Sequence, residues 1–488
     1  MNLPTVSLNR ILLSAILLTL TGCSSMAPDY QAPVIATPAQ FAGYEVLKPI
    51  EQLRQTPHSS AWWQAFNDPL LNELNERLTL DNQTLKASEA QYRIALATLQ
   101  SVSASRLPTL NSNFSASHGT LASTTSFSSS ELPKVTTYSL SANVAWELDV
   151  WGRIRDNISS NEAKAQASLA DLYAARLSTQ ALLTQSYLQL RHLDHQQQLL
   201  AESETAYQRF LALTQARIKA GVASKLDATQ AETQLYSLQA QRLDLQDQRQ
   251  RLQNAIASLV GTHSAAMSIN KKADYAFSTP ETPQLIPSAL LTQRPDIIAS
   301  ERRVYAANQQ IGVAQSAFFP TINLVASASY RNRDLANLID IPNTFWSLGP
   351  SMALALFDGG LREANKAIAI ATMEQAAANY KQTLLTAFQE VEDNLTSLYW
   401  LAEEAKIQQQ VVSSANQALL IAQKQYQAGI NSALNVISAQ TAELTAKRTL
   451  ADIQHRQRLA AVQLWKNTGT GMNLADEQQK SLIEIREF

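Results

Sequence analysis

Four segments of the chain alternate apolar and polar residues with a period of two. In residues 138–150 the even positions are apolar, from Tyr138 to Val150, while the odd positions are mostly polar. Residues 321–331 and 346–357 repeat this pattern, and residues 109–123 carry a weaker version that is rich in Ser and Asn. A period of two is typical of β-strands with one apolar face. The sequence therefore predicts four strands of about 13–15 residues, arranged as two hairpins.

Two further segments contain neither Gly nor Pro and are rich in Ala, Leu, Gln, Glu and Arg, which favour helices. Residues 153–219 and 361–427 each predict one helix of roughly 100 Å, at ~1.5 Å per residue. In the first of them Leu169, Leu172, Leu183, Leu190 and Leu193 approach the spacing of a coiled-coil seam. A plain coiled-coil stalk would show the same periodicity.

Both long helices are followed by a turn and a returning helix. Gly221 and Gly429 suit the left-handed position that ends a helix, and Ser224 and Ser432 suit the N-cap of the next one. The returning helices extend to about residues 260 and 468. Shorter helices begin at Asp68-Pro69 and Arg294-Pro295, because proline is favoured at the first helical position.

The spacing of the glycines predicts a tandem repeat. Two triplets with the same spacings, 69 and 40 residues, lie 208 residues apart: Gly152, Gly221, Gly261 and Gly360, Gly429, Gly469. Such regularity predicts a duplicated unit. We divide the chain into a signal peptide (1–22), a lipid-anchored extended tether (23–60), a first repeat (61–262), a linker (263–290), a second repeat (291–470) and a C-terminal tail (471–488).

The N-terminus has the features of an export signal. Arg10 precedes the apolar stretch 11–20, which is too short to span a membrane as a helix. Leu20-Thr21-Gly22-Cys23 is similar to a bacterial lipobox, whose cysteine is lipidated after cleavage; the alternative is an ordinary signal with a chance cysteine. In lipoproteins of this kind an Asp after the cysteine usually retains the protein at the inner membrane, so the resemblance to a lipobox with Ser24 implies transfer to the outer membrane. Five prolines within residues 24–60 indicate an extended tether and no part of the core.

Composition narrows the classes of function. Of 488 residues, 45% are hydrophobic, which excludes global disorder, and a net charge of −2 gives no sign of nucleic-acid binding. A single cysteine excludes a disulfide framework. We find no phosphate-binding glycine loop and no catalytic triad motif, so we expect neither an enzyme nor a cofactor. His192 and His195 are a weak metal-ligand pair, and a solvated helix face is the favoured interpretation.

The strands are long enough to cross a membrane, which takes about 9–11 residues. Their apolar faces carry no charge, and aromatic residues lie near their ends: Tyr138, Trp146, Trp151, Tyr330 and Trp346. A soluble β-sandwich is the alternative, but two hairpins joined by long helical rods would pack poorly as one. Four strands cannot close a barrel, so we expect the chain to oligomerise. Two, three or four copies would all give an even number of strands.

The chain resembles the outer membrane factors of tripartite efflux pumps, in their lipoprotein branch. Besides the tips, the matching motifs are Cys23, Asp68-Pro69-Leu70, Arg294-Pro295-Asp296-Ile297, Glu301, Ile311-Gly312, Phe319-Pro320 and Phe357-Asp358-Gly359-Gly360. The resemblance implies a mixed α+β membrane protein. In this family a homotrimer forms a twelve-stranded β-barrel, with four strands per chain, continuous with a long periplasmic α-helical barrel. It also implies that Gly221, Ser224, Gly429 and Ser432 lie at tips that dock a periplasmic adaptor and an inner-membrane pump.

The same resemblance implies a gate where the returning helices begin. Leu434 matches a leucine ring that narrows the periplasmic mouth, and Leu226 is its equivalent in the first repeat. Close relatives carry an Asp one turn after this leucine and an Arg three residues further on; this chain has Ser438 and Thr441. Asp227 is a candidate for the missing negative charge. The alternative for Asp227 is a first-turn residue stabilised by the helix dipole.

Three hypotheses follow for the function. The first is a passive outer membrane exit duct for drugs or other small toxic molecules, coupled to a proton-driven pump. The second is a duct for polypeptides, coupled to an ATP-driven exporter. The third is a lipid-anchored periplasmic tether without a pore, which would not need alternating strands. The lipobox favours the drug exit duct over the polypeptide duct, because in this family the lipoprotein branch is typical of small-molecule efflux.

Overall fold

The computed structural model describes residues 25–36, 41, 61–120, 134–272, 275 and 294–469. The predicted signal peptide, Cys23, most of the predicted linker and the C-terminal tail lie outside these residues. The described ranges contain seven α-helices and four strands in this order: α1 Pro69–Asp81, α2 Gln83–Ser103, β1 Thr109–Thr120, β2 Lys134–Glu147, α3 Arg153–Lys219, α4 Lys225–Leu259, α5 Pro295–Ser316, β3 Thr321–Asn332, β4 Thr344–Ala353, α6 Leu361–Gln427 and α7 Ala433–Asn467.

The chain folds as two compact units, which we describe separately. The first contains residues 92–168 and 300–380 and therefore all four strands. They form one antiparallel sheet in the order β1-β2-β3-β4, so each predicted hairpin is confirmed. β2 also pairs with β3, which joins the two hairpins into one sheet.

The register gives the sheet one apolar face. Every pair joins two even or two odd positions, as Leu110 pairs with Val144, Val144 with Ala326 and Ala326 with Leu348. Because side chains alternate between faces, the apolar even positions of all four strands lie on the same side. The odd positions are mostly polar, with serine pairs such as Ser115–Ser139 at 2.8 Å between their hydroxyl oxygens.

Two strands end earlier than their pattern predicts. β2 ends at Glu147 and not at residue 150, because the Asp149 carboxylate accepts hydrogen bonds from the backbone N–H groups of Ile154 and Arg155 and so caps α3. β4 ends at Ala353 and not at residue 357. Its last partner is Thr321, the first residue after Pro320, so the neighbouring strand offers residues 354–357 no pairing.

The bounds of the long helices, 153–219 and 361–427, are confirmed to the residue. The predicted starts of two shorter helices are also correct. Asp68 caps α1, with Pro69 at the first position, and α5 begins at Pro295. These helices begin and end where Gly, Pro and capping residues make continuation unfavourable.

The second unit contains residues 35–91, 169–299 and 381–488, and one hydrophobic cluster in it joins α1, α3 and α4. Leu71, Leu78, Leu183, Leu190 and Ile256 are at most 1% exposed there. The predicted leucine seam of α3 is therefore the buried face of that helix, with Leu172 at its half-buried edge. The long helix gains its stability from this packing more than from propensity alone.

A buried ion cluster fixes the segment after α4 onto the helices. The Asp194 carboxylate lies 3.1 Å from Arg191 Nη1 and 2.6 Å from Arg249 Nε. The two guanidinium groups also donate to the carbonyl oxygens of Asn270 and Ile269. All three charged side chains are nearly inaccessible to solvent, so loss of one partner would leave a buried charge uncompensated.

Residues of the predicted tether take part in packing, which corrects the expectation that this segment stays outside the core. Phe41 is 2% exposed and joins a cluster with Val391, Leu395 and Leu464. Burial of a large aromatic side chain is strongly favourable, which accounts for this contact.

Residues 25–34 belong to the first unit, where they pack on α3 and α5. Ser25 Oγ donates to the Asp156 carboxylate at 2.6 Å, and Asn308 donates to the Pro28 carbonyl at 2.8 Å. A Cβ on Gly312 would lie 2.2 Å from an Asp156 oxygen and 2.5 Å from the Ala27 nitrogen. Gly312 therefore permits the N-terminal segment to approach the helices closely.

Candidate functional site

The two helical turns predicted as tips have the same backbone geometry. Gly221 and Gly429 have φ of 76° and 77°, which is the left-handed region that glycine adopts without strain. The N–H of Gly221 bonds the Ile218 carbonyl, and the N–H of Val222 bonds the Arg217 carbonyl, both at 2.9 Å. Gly429 and Ile430 make the equivalent bonds. Both long helices thus end in the same glycine-dependent motif, as predicted.

The returning helices are capped differently. Ser224 accepts from the Leu226 N–H at 3.1 Å, and Asp227 accepts from the Ser224 N–H at 3.2 Å, which together form a capping box. The Asp227 carboxylate therefore stabilises the start of α4. This capping contact is sufficient to explain an aspartate at position 227, without a role in a gate.

Ser432 occupies the N-cap position of α7, but its side chain makes no capping hydrogen bond, so this part of the sequence prediction is wrong. The Asn431 side chain makes other contacts at this turn. It accepts from the Ser432 N–H at 2.9 Å and from the Asn435 amide. The second repeat has Asn435 where the first has Asp227, so the reciprocal carboxylate contact of the capping box is not formed.

Each tip presents apolar side chains to solvent. Val222 and Ile430, which follow the glycines, are 63% and 80% exposed, and Leu226 and Leu434, at the second position of the returning helices, are 62% and 52% exposed. Ser438 is exposed one turn after Leu434, on the same face of α7. Four exposed branched residues in matching positions form an apolar surface that a partner could cover.

We define α3 with α4 as the first helical hairpin and α6 with α7 as the second. Side chains near the tips join them. The Tyr207 hydroxyl of α3 lies 2.9 Å from Thr441 Oγ1 of α7, and Thr214 lies 3.3 Å from the Tyr426 hydroxyl. Arg217 donates to the Tyr426 carbonyl and its guanidinium lies 4.6 Å from that ring's centroid.

These contacts between the hairpins are not predicted by the sequence. Their partners lie more than 200 residues apart in the chain, so no local pattern pairs them. The duplication predicts two hairpins of equal length, but it does not predict which side chains join them.

The prediction that His192 lies on a solvated face is wrong. His192 is 4% exposed and stacks on His455 of α7, with ring centroids 4.4 Å apart and an interplanar angle of 8°. Its Nε2 lies 2.8 Å from an Asp452 oxygen. Burial lowers the pKa of both imidazoles and brings that of His455 to about 3. Within the described residues no group of three or more His, Cys, Asp or Glu side chains could hold a metal ion.

The apolar face of the sheet is largely exposed in the single chain. Trp346, Leu348, Met352, Leu110 and Phe114 are between 55% and 77% exposed. Within the described part of the chain, β1 and β4 each have a strand neighbour on one side only. Exposed apolar faces and open edges of this size require covering by lipid and by further strands. No helix within the described ranges is long and apolar enough to cross a membrane.

Comparison with known proteins identifies the family of this chain. Residues 74–262 and 286–470 match the family described as "Outer membrane efflux protein". The chain belongs to the outer membrane efflux protein family. Among its relatives, the Outer membrane protein OprJ of Pseudomonas aeruginosa is 31% identical over 495 residues, which cover 97% of this chain and 98% of OprJ. The Cation efflux system protein CusC of Escherichia coli (strain K12) is 28% identical over 470 residues, which cover 95% of this chain and 99% of CusC.

Solved structures agree with this assignment. The outer-membrane channel OprN matches with a TM-score of 0.85 at 27% identity, over 91% of this chain and 99% of that chain. A CusC structure matches with a TM-score of 0.83 at 25% identity, over 92% of this chain and 100% of that chain. These neighbours are trimeric channels with four strands per chain, which confirms the predicted mixed α+β fold.

Membership of this efflux family confirms three predictions made from the sequence: the family itself, the outer membrane location, and the function of an efflux channel for small molecules. The family consists of channel proteins, which are trimeric and work with pump partners in tripartite systems. The roles assigned to Cys23 and to the tip and gate residues, and the boundaries of the repeats, stay predictions.

Proposed function

We propose that this chain forms a passive exit duct for drugs or other small toxic molecules, which a proton-driven inner-membrane pump delivers through a periplasmic adaptor. The observation that supports the adaptor is the pair of matching tips. Both end in the same glycine motif, and both expose a branched residue, Val222 or Ile430, followed four residues later by a leucine. Two apolar tips per chain suit a partner that covers them with an apolar surface of its own.

The gate in this proposal is formed by Leu434 with Leu226. Both leucines lie at the second position of a returning helix and are more than half exposed, so copies of the chain could bring them together as an apolar constriction. Ser438 follows on the same face and adds no charge. Asp227 contributes negative charge at the tip, although its carboxylate is held by the Ser224 N–H.

Cys23 anchors each chain to the outer membrane by its lipid in this proposal. The packed segment that begins at Ser25 would keep this anchor close to α3, since two residues span at most about 7 Å. Three copies of the four-stranded sheet give twelve strands, in which the open edges of β1 and β4 close between copies. We infer no enzymatic step and no nucleic-acid partner, so the energy for transport comes from the pump.

Relatives with known cargo support a small-molecule substrate. Their names include a cation efflux protein, an antibiotic efflux pump protein of Pseudomonas putida and a pyoverdine export protein of Pseudomonas aeruginosa. These cargoes share little chemistry, whereas the channels share one fold. We therefore assign the choice of substrate to the pump and not to this chain.

Cross-linking from a tip tests the proposal. With Cys23 acylated, Ser432→Cys would carry the only free thiol, and Ser413→Cys, at an exposed position on α6 about 24 Å from the tip, is the matched control. We expect Ser432→Cys, but not Ser413→Cys, to capture an adaptor in cells, together with a proton-driven pump. Capture of an ATP-driven exporter would favour polypeptide secretion. Capture of neither by an abundant trimer would refute adaptor docking at this tip.

A further inference from the structure

Charged residues are scarce in the sheet that forms the wall of the barrel. Across the four strands, Lys, Arg, Asp and Glu occur only three times, as Lys134, Glu147 and Arg331. Lys134 lies at an even position, on the side of the apolar residues, whereas Glu147 and Arg331 lie at odd positions. In a transmembrane barrel, strand residues alternate between the lipid side and the lumen. Of the charged strand residues, Glu147 and Arg331 therefore face the lumen.

These two residues lie at opposite ends of the wall. β1 and β3 follow α2 and α5, while β2 and β4 lead into α3 and α6, so all four helices connect to the end of the sheet that contains Glu147. Arg331 is the last residue but one of β3, at the end where the strands of each hairpin are connected. Because the helices of channels in this family extend into the periplasm, Arg331 lies near the outer mouth of the duct.

The two lumen residues differ in their ion partners. Glu147 accepts hydrogen bonds from Arg153 Nε at 2.8 Å and Nη2 at 2.7 Å, so its charge is compensated in place. Arg331 is exposed, and no carboxylate within the described ranges forms an ion pair with it. Its cross-strand neighbour is Ser139, and the next acidic residue along the chain, Asp334, accepts hydrogen bonds from its own loop. The lumen side of the strands therefore carries an uncompensated positive charge near its outer end.

Three copies of the chain place three Arg331 side chains around one lumen. Twelve strands spaced about 4.8 Å apart and tilted by about 40° enclose a barrel about 12 Å in radius. Each guanidinium group lies closer to the axis than its own backbone does, so about one Debye length, ~10 Å at 0.1 M salt, separates it from the axis. The three charges therefore act on solutes across the whole lumen, and the low-dielectric wall behind them concentrates their field.

We propose that Arg331 of the three copies forms a basic ring near the outer mouth, which raises the permeability of the duct to anions, including organic anions with carboxylate, sulfonate or phosphate groups, relative to cations. The proposal rests on the twelve-stranded barrel of the proposed function. Rings of Arg or Lys are the usual device of anion-conducting pores. The ring acts on every solute by its charge alone, so the pump still selects the cargo.

Reversal potentials of the purified trimer in planar bilayers, under a salt gradient, measure the ratio of anion to cation permeability. Chloride and then glutamate, an organic anion, serve as the anion against potassium. We expect Arg331→Gln to lower the ratio about 2- to 5-fold near 0.1 M salt, which is the effect of three unit charges about 10 Å from the axis. Arg331→Lys keeps the charge and should keep the ratio. At about 1 M salt the Debye length falls to ~3 Å, and the effect of Arg331→Gln should largely disappear.

Two further variants complete the test. Lys134→Gln is the matched control, because it removes one positive charge per chain from the lipid side of the same end of the sheet, and it should leave the ratio unchanged. Ser139→Glu leaves Arg331 in place and sets a carboxylate opposite it in the strand register. This compensating charge should lower the ratio as much as Arg331→Gln does.

The outcomes separate the ring from the duct. If Arg331→Gln and Ser139→Glu form channels with an unchanged permeability ratio, the ring is wrong and the exit duct stands. If Lys134→Gln lowers the ratio as much as Arg331→Gln, the ring is also wrong, because the charge then acts from outside the lumen. If the trimer opens no channel in bilayers, the proposed exit duct fails and the ring fails with it.

Discussion

Acid should destabilise this protein through the buried histidine pair. His455 is 5% exposed, stacks on His192 and lies near Arg458, and burial together with these neighbours lowers its pKa to about 3. In the unfolded chain its pKa is about 6.5. Between these two values the unfolded state binds more protons than the folded state. Stability is therefore complete above about pH 6.5 and declines as the pH falls below it.

The magnitude follows from the distance between the working pH and the ordinary pKa. At pH 5, which lies above the folded-state pKa of His455, the pH is about 1.5 units below the pKa of histidine in the unfolded chain. Each unit corresponds to about 1.4 kcal/mol. His455 alone should thus cost about 2 kcal/mol per chain on moving from pH 7.5 to pH 5. The lowered pKa of His192 acts in the same direction, although Asp452 opposes it.

A comparison of variants isolates this effect from the general acid response. His455→Gln keeps a neutral polar side chain opposite Gln189 and cannot be protonated. We expect the thermal unfolding midpoint of the trimer, followed by circular dichroism at one scan rate, to fall less between pH 7.5 and pH 5 in this variant than in the unmodified protein. His263→Gln, at an exposed position, is the control and should follow the unmodified protein. Equal losses for all three proteins would refute the assignment.

Two further predictions concern single contacts. Gly312→Ala places a Cβ 2.2 Å from an Asp156 oxygen, so we expect this variant to release residues 25–34 and to increase their cleavage by protease. Gly349→Ala, which has open space around the new Cβ, is the control and should not increase this cleavage. Equal cleavage of the two variants would contradict the packing argument. Ser224→Ala should destabilise the first turn of α4 by about 0.5–2 kcal/mol, since Ser224 caps that helix. Ser432→Ala should cost less, because its side chain makes no capping bond, and hydrogen exchange of the two helix starts would compare them.

Local signals suffice to predict most of the secondary structure of this chain. α3 and α6 end where predicted. Glycine and proline are scarce in this chain, so a single glycine or proline is a reliable signal for the end of a helix. The period of two locates the strands, but the end of β4 depends on where β3 begins, and that requires the register. A pattern in one strand carries no information on the length of its neighbour.

The contacts between repeats are beyond the reach of the sequence. Thr441 stands in the sequence only as a departure from the family, whereas the structure places its hydroxyl against Tyr207. His192 has the sequence context of a surface residue, because its partner His455 lies 263 positions further along the chain. Helical periodicity shows which face is apolar, but it does not show which polar side chain on another helix satisfies a buried group.

The edges of β1 and β4, which no strand of the described residues covers, have a genetic consequence. Each barrel closes only through the strands of three chains. One defective chain therefore inactivates the whole trimer, including the two intact chains that assemble with it. If half of the chains in a cell carried a defect that still permits assembly, random mixing would leave about one trimer in eight intact. Defective alleles of this gene should therefore be dominant over the normal allele when both are expressed together.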